Sequence, residues 1–264
     1  MNAACKLRAL GAVLATLLLC ACALRPHPPA GPVPGAPAAA ETPLPHQGVP
    51  YGIVADESLL TIRVYRGGAL AGAGHNHVIA SHALSGTMYV PGDLMRASFE
   101  IHVPVAELTI DEAELRARED RADFPPEVPE AARQGTRRNM LGEALLDAER
   151  HPQIVLRALR LEPAASASRD AGTADGAGNA DAAGKAGAVL VRIQTTVRDQ
   201  VRAITVPVSY RLAGDALTVS GDAPVRQSDL GLTPFSAMLG ALQVQDEMRI
   251  SFRIVARAAP PRSK

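Results

Sequence analysis

Cysteine runs out early in this chain. Of its 264 residues only Cys5, Cys20 and Cys22 carry thiols. Whatever folds downstream therefore holds neither a disulfide nor a thiol nucleophile of its own. An excess of one charge is also missing, because 27 Lys and Arg balance 27 Asp and Glu. With no basic stripe, nucleic acid is excluded as a principal partner. The apolar run from Leu10 to Leu19 is shorter than the roughly 20 residues that span a bilayer, so it does not predict a transmembrane helix. The signatures of catalysis are absent as well: there is no Gly-x-Ser-x-Gly elbow, no phosphate-cradling glycine loop and no His-Glu-x-x-His helix. The chain reads as a non-enzyme without a cofactor.

What is present at the N-terminus is Lys6 and Arg8, then the apolar run, then small residues, which is the layout of a secretory signal peptide. Leu19-Cys20-Ala21-Cys22 resembles a bacterial lipobox, which implies cleavage and lipidation at Cys22; Cys20, preceded by Leu19, does not fit. Ala23 rather than Asp follows Cys22, which resembles an outer-membrane address. Residues 1–22 are thus expected to be leader and lipobox, with a membrane anchor at Cys22 and a periplasmic domain beyond it. Residues 23–50, rich in Pro, Ala and Gly, read as a semi-extended tether, residues 51–258 as one domain and 259–264 as a tail. Within the domain, Pro163 to Gly187 is Ala, Gly, Ser and Asp with almost no large apolar residue, and it is expected to be a disordered hairpin insertion.

The domain has a period of two. Leu60, Ile62 and Val64 alternate with Thr61, Arg63 and Tyr65, and Phe99, Ile101 and Val103 with Ser98, Glu100 and His102. Similar alternation over 84–90, 154–159, 189–197, 204–212, 217–225 and 248–256 predicts eight half-buried antiparallel strands. Between the third and fourth, charged residues at helical spacing predict one or two helices broken by Phe124-Pro125-Pro126, and 233–242 reads as another short helix. The expected class is all-β with minor α. Eight strands favour a barrel, which closes without edges around an interior just wide enough for one ligand. A sandwich fits the same alternation.

The apolar face comprises Leu60, Ile62, Val64, Met88, Phe99, Ile101, Ile154, Leu156, Ile193, Ile204, Val206, Val208, Leu217, Val219, Ile250 and Phe252. Such a set either packs as a solid core or walls a lumen for a flexible hydrocarbon. The one polar cluster of chemical interest is Gly74-His75-Asn76-His77. Residues two apart on an extended chain point the same way, so His75 and His77 could share a metal, with His82, His102 or His151 as a third ligand, or touch a ligand head group at a barrel mouth. They could equally form a structural turn. His151-Pro152 reads as a strand start, and Arg137-Arg138 as capping or solvating a helix end.

Five blocks carry a family resemblance over about residues 57–256: Ser58 to Tyr65; Leu84-Ser85-Gly86-Thr87 with Ala97 to Ile101; Arg138-Asn139-Met140-Leu141 leading to Leu146 through Ile154; Ile204-Thr205-Val206-Pro207-Val208; and Gln227 through Pro234. In order and spacing they resemble the YceI-like family. The resemblance implies an extended, lipocalin-like antiparallel β-barrel that binds a polyisoprenoid of the quinone or prenyl phosphate type in its interior, as a carrier or store in the periplasm. It turns the apolar face above into a ligand pocket. One family feature is missing: the glycine expected before the Ile204 strand is replaced by Thr196-Val197-Arg198-Asp199-Gln200-Val201.

Overall fold

A computed structural model describes residues 41–164 and 184–259. The expected leader, Cys22 and most of the expected tether lie outside the described residues, as does the central part of the expected insertion. In chain order the strands are β1 (Val49–Ile53), β2 (Leu59–Gly67), β3 (His77–Ser81), β4 (Ser85–Val90), β5 (Ser98–Pro104), β6 (Thr109–Ile110), β7 (Gln153–Pro163), β8 (Lys185–Val197), β9 (Gln200–Ala213), β10 (Ala216–Arg226), β11 (Ser236–Ala237) and β12 (Leu242–Ala258). Two helices, α1 (Ala113–Arg116) and α2 (Glu130–Leu141), fall between β6 and β7. Each of the eight segments that alternate in sequence is a strand, and the break at Phe124-Pro125-Pro126 separates the two helices.

The strands pair antiparallel in the order β1-β4-β5-β7-β8-β9-β10-β12, and β1 also pairs with β12, which closes an eight-stranded barrel. Closure depends on an interrupted strand. β12 is long enough to take β1 at one end, with Tyr51 opposite Ala258, and β2 along the rest of the same edge, with Leu60 opposite Phe252. The interruption is held by Ser58, whose hydroxyl donates to Val54 O at 2.7 Å and accepts from Val255 N at 3.0 Å, so the backbone groups freed by the break are satisfied. β3 and β6 continue the sheet from β2, as β4 and β5 do from β1.

One seam is incomplete. β9 and β10 pair only from 209 to 213 against 216 to 220, and then part. Pro207 and Pro224, which have no N–H to give, lie on the two diverging strands. Beyond the parting, Val206 and Val208 meet Ala223 through side chains. The β8–β9 turn is tight although it lacks glycine: Arg198 itself takes the left-handed backbone, at φ 54°.

Three expectations need correction. The stretch 233–242 is not a helix; it is the two-residue β11 followed by a 3-10 turn at Met238–Gly240. Pro234 and Gly240, with positive φ at Met238 and Leu239, prevent a regular helix. Residues 41–48, expected to belong to the tether, instead run across the outer barrel face. Leu44 N donates to Ala158 O at 2.8 Å, Ser98 Oγ donates to Pro45 O at 3.0 Å, and Arg192 pairs with Glu41. The insertion is also shorter than 163–187: Pro163 pairs with Val189, while Lys185, Ala186 and Gly187 pair with Leu212, Arg211 and Tyr210.

Candidate functional site

The barrel encloses a cavity of about 280 Å³. All sixteen residues of the apolar face read from the sequence line it, including Ile62, Val64, Met88, Phe99, Ile101, Ile154, Leu156, Ile204, Val206, Val208, Ile250 and Phe252. Period two places them there, since alternate side chains of every strand turn inward. Several stay half-buried although they point inside, among them Ile62, Phe99, Leu156, Ile204 and Phe252. Side chains in a close-packed interior would touch on all sides; these border space instead, so the barrel interior is a lumen.

The few polar groups in the wall are turned away from it. Thr195 Oγ1 donates to Arg202 O at 3.3 Å and Gln227 Nε2 to Gln245 O at 2.8 Å. No ion pair among the described residues falls on a lumen-lining side chain. A surface of this kind offers a ligand dispersion and dehydration, with no directional contact to a charge.

The end of the barrel next to the β8–β9 turn is covered by side chains from outside the strands. Met140 from α2, Leu146 and Leu230 are buried there, with Leu145 and Leu232 beside them. No period-two signal marks these residues as pocket, because they come from turns and a helix. α2 is fastened over this end by Arg137, which donates to Leu108 O at 2.6 Å and Ala106 O at 2.8 Å. Arg137 thus ties a helix to a neighbouring turn and does not cap or solvate the helix end. The turn at 228–230 is clipped to β12 by Ser228, whose N and Oγ both donate to the Asp246 carboxylate. At the opposite end the wall continues through Leu94, Met95, Tyr89 and Tyr210.

His75 and His77 do not line the lumen, which corrects the reading of them as a mouth contact. His77 is buried at the start of β3, with Nδ1 2.6 Å from Asp111 Oδ2 and Nε2 3.0 Å from Thr136 Oγ1. Asp111 also accepts from Val78 N at 2.9 Å and from Arg116 Nη1 at 2.6 Å. Burial alone would raise the Asp111 carboxyl, but the bonds from His77 and Val78 and the charges of His77 and Arg116 more than offset it, and its pKa lies below the usual value. Burial, with the neighbouring His77 and Arg116, pushes the His75 imidazole down, towards its neutral form. Asn76 completes the motif by accepting from Arg66 N and donating to Asp123 O. With both nitrogens of His77 engaged, the pair cannot share a metal without breaking this network. Among the described residues no group of three or more His, Cys, Asp or Glu is arranged for a metal. His82 lies beside Glu112, His102 between Glu100 and Gln153, and His151 near Asp147, each apart from the His75–His77 pair.

Residues 73–256 match the YceI-like domain family. No curated protein matches the chain. Among solved structures, Burkholderia cenocepacia BcnA aligns at 16% identity and a TM-score of 0.51, covering 77% of this chain and 99% of that one. A polyisoprenoid binding domain from Saccharophagus degradans, implicated in plant cell wall breakdown, aligns at 12% identity and a TM-score of 0.50, covering 80% of this chain and 99% of its own. At these identities the likeness concerns the fold.

Proposed function

This chain belongs to the YceI-like domain family, and from that premise we propose that its barrel binds a long isoprenoid lipid, of the quinone or prenyl phosphate kind, as a non-catalytic carrier or store at the cell envelope. One observation carries the reading: the eight strands turn an almost wholly aliphatic face onto a lumen of about 280 Å³. That volume is near the lower edge of the roughly 300–1,000 Å³ usual for small-molecule sites. It suits a slender chain laid along the barrel axis better than a bulky ring system. The Saccharophagus degradans polyisoprenoid binding domain, which has the same fold, supports the choice of ligand class.

The energetics are adequate without any charged contact. Each buried methylene contributes about 0.8 kcal/mol, while association costs on the order of 4–15 kcal/mol. A tail of several isoprene units exceeds the lower part of that cost by itself. Selectivity then follows tail length more than head group. The lipobox-like Leu19 to Cys22 supports an acylated Cys22 holding the domain at a membrane, with the periplasmic face of the outer membrane as the proposed site.

The test is mass spectrometry of a chloroform extract of the natively purified protein, paired with thermal melting of delipidated protein before and after a long isoprenoid is added. An isoprenoid should appear in the extract, and the added lipid should raise the melting temperature, because a ligand at 100 times its Kd stabilises by about 2.7 kcal/mol. Protein that carries no lipid from any membrane source and does not shift with any prenyl compound would refute the reading.

A further inference from the structure

Residues 67–76 and 230–245 contain no charged side chain, in a protein of which 20% is charged. The two stretches meet at one tip. Leu70 N donates to Ala241 O at 2.7 Å, and a Cβ at Gly68, where φ is 86°, would stand 2.4 Å from that same oxygen, so only glycine allows the approach. The tip presents Leu70, Met238 and Leu239 to solvent, with Met238 69% exposed and Leu239 fully so. Met238 and Leu239 both hold left-handed backbone, at φ 52° and 56°, an uncommon state for side chains of this kind. Arg66 stands at the base, its Nη1 donating to Gly74 O at 2.9 Å, with no carboxylate at ion-pair distance among the described residues. The connection that carries Met238 and Leu239 also supplies Leu230 and Leu232 to the lumen wall.

We infer that this tip inserts into the interfacial layer of a lipid bilayer, and that the contact is where the barrel exchanges its lipid. The second half rests on the lipid-binding reading above. The lack of charge selects the partner: an uncharged aliphatic tip, with Arg66 at its base and the carboxylates of Asp229 and Asp246 just beyond the ends of the 230–245 stretch, matches acyl chains lying beneath a polar headgroup layer. The tip is a convex projection with protruding Met and Leu side chains, a shape that a fluid bilayer accepts without a preformed pocket.

The chain has no tryptophan, so Leu239→Trp gives a unique reporter. It is made in the full chain carrying Cys22→Ser, so that no acyl group at residue 22 holds the protein to vesicles. On adding vesicles of phosphatidylcholine and phosphatidylglycerol, tryptophan emission should move to the blue and be quenched by brominated acyl chains. Each aliphatic side chain lost should weaken partition about tenfold or more. The double variant Met238→Ser, Leu239→Ser should therefore bind vesicles about a hundredfold more weakly and deliver isoprenoid to them more slowly. Its far-ultraviolet circular dichroism and its bound lipid per protein should stay unchanged. Equal partition of parent and double variant, with no spectral shift, overturns the inference. So does tip-dependent self-association in sedimentation without vesicle binding, which would assign the tip to a second copy of the chain. If extracts hold no isoprenoid but partition depends on the tip, the bilayer contact stands and the carrier reading falls. If extracts hold isoprenoid and partition ignores the tip, the carrier reading stands and the bilayer contact falls.

Discussion

His77 Nδ1 lies 2.6 Å from Asp111 Oδ2, a buried contact between two residues 34 positions apart in the chain, at the start of β3. From this pair the contacts reach outward in two directions. His77 reaches Thr136 of α2 through its other nitrogen, and Asp111 reaches the buried Arg116 of α1. The Arg116 guanidinium lies over the Phe124 ring, 5.6 Å from its centroid, and donates to Asn76 O and Pro125 O. The small apolar cluster of Val78, Ala80, Leu115 and Phe124 fills the layer between. The helical segment that lies over one end of the lumen is thereby anchored to β3 by a buried charge network.

Asp111→Asn tests that anchor. Asp111 sits at φ 54°, a backbone that Asn also tolerates, so the exchange removes the charge without new strain. Removing one partner of a buried pair leaves the other uncompensated, and stability should fall by about 3–5 kcal/mol in urea unfolding at neutral pH. The pH dependence has a definite sign. Because the native carboxyl is held below its unfolded value of about 3.9, its contribution is complete above roughly pH 4 and is lost as pH falls through the native value. The parent should therefore lose more stability than the variant between pH 5 and the acid limit. Equal losses in the two proteins would show that the pair is not linked to acid unfolding.

A second substitution distinguishes a working lumen from a packed core. Val206 is buried and lines the cavity. In a solid core Val206→Trp would be overpacking and cost about 1–3 kcal/mol or more. In the lumen the indole has space to enter, so β-rich circular dichroism and the melting temperature of delipidated protein should change little. Lipid recovered in organic extracts should fall to background. A variant that unfolds, or that keeps its lipid, contradicts this use of the space.

The legible parts of the molecule are those with one buried face. Leu60, Ile62 and Val64 on β2, or Val206 and Val208 on β9, alternate with polar neighbours because the other face meets water, and period two carries that into sequence. β3 gives no such signal, since His77, Val78, Ile79, Ala80 and Ser81 are buried on both sides, between the lumen and the helical layer. β1 begins at Val49-Pro50, which reads as the end of the tether. Residues 41–48 were hidden for a related reason: part of their hold on the barrel passes through main-chain groups such as Leu44 N and Pro45 O, on which side-chain composition is silent. Phe235, Met238, Leu239 and Leu242 have helical spacing, yet two of them point to solvent. The role of the His75-Asn76-His77 motif depends on Asp111, Arg116 and Thr136, and nothing local in sequence announces partners so distant.

The insertion gives a prediction in two parts, because its flanks and its centre differ. Lys185, Ala186 and Gly187 complete the β8 ladder against β9, and Pro163 is opposite Val189, so these residues belong to the barrel. Loop-closure entropy changes by only about 0.6 kcal/mol per doubling of length. Replacing 165–183 with a short Gly-Ser turn should accordingly leave unfolding stability within about 1 kcal/mol of the parent and leave lipid content unchanged. Extending the deletion through Gly187 strips the pairing from Tyr210, Arg211 and Leu212, where each lost hydrogen bond is worth about 0.5–1.5 kcal/mol. It also bares a strand edge next to Tyr210, a lumen-lining residue. The longer deletion should therefore be destabilised in urea and retain less lipid than the shorter one. If the two deletions behave alike, the ladder from 185 to 187 is not part of the wall that holds the ligand.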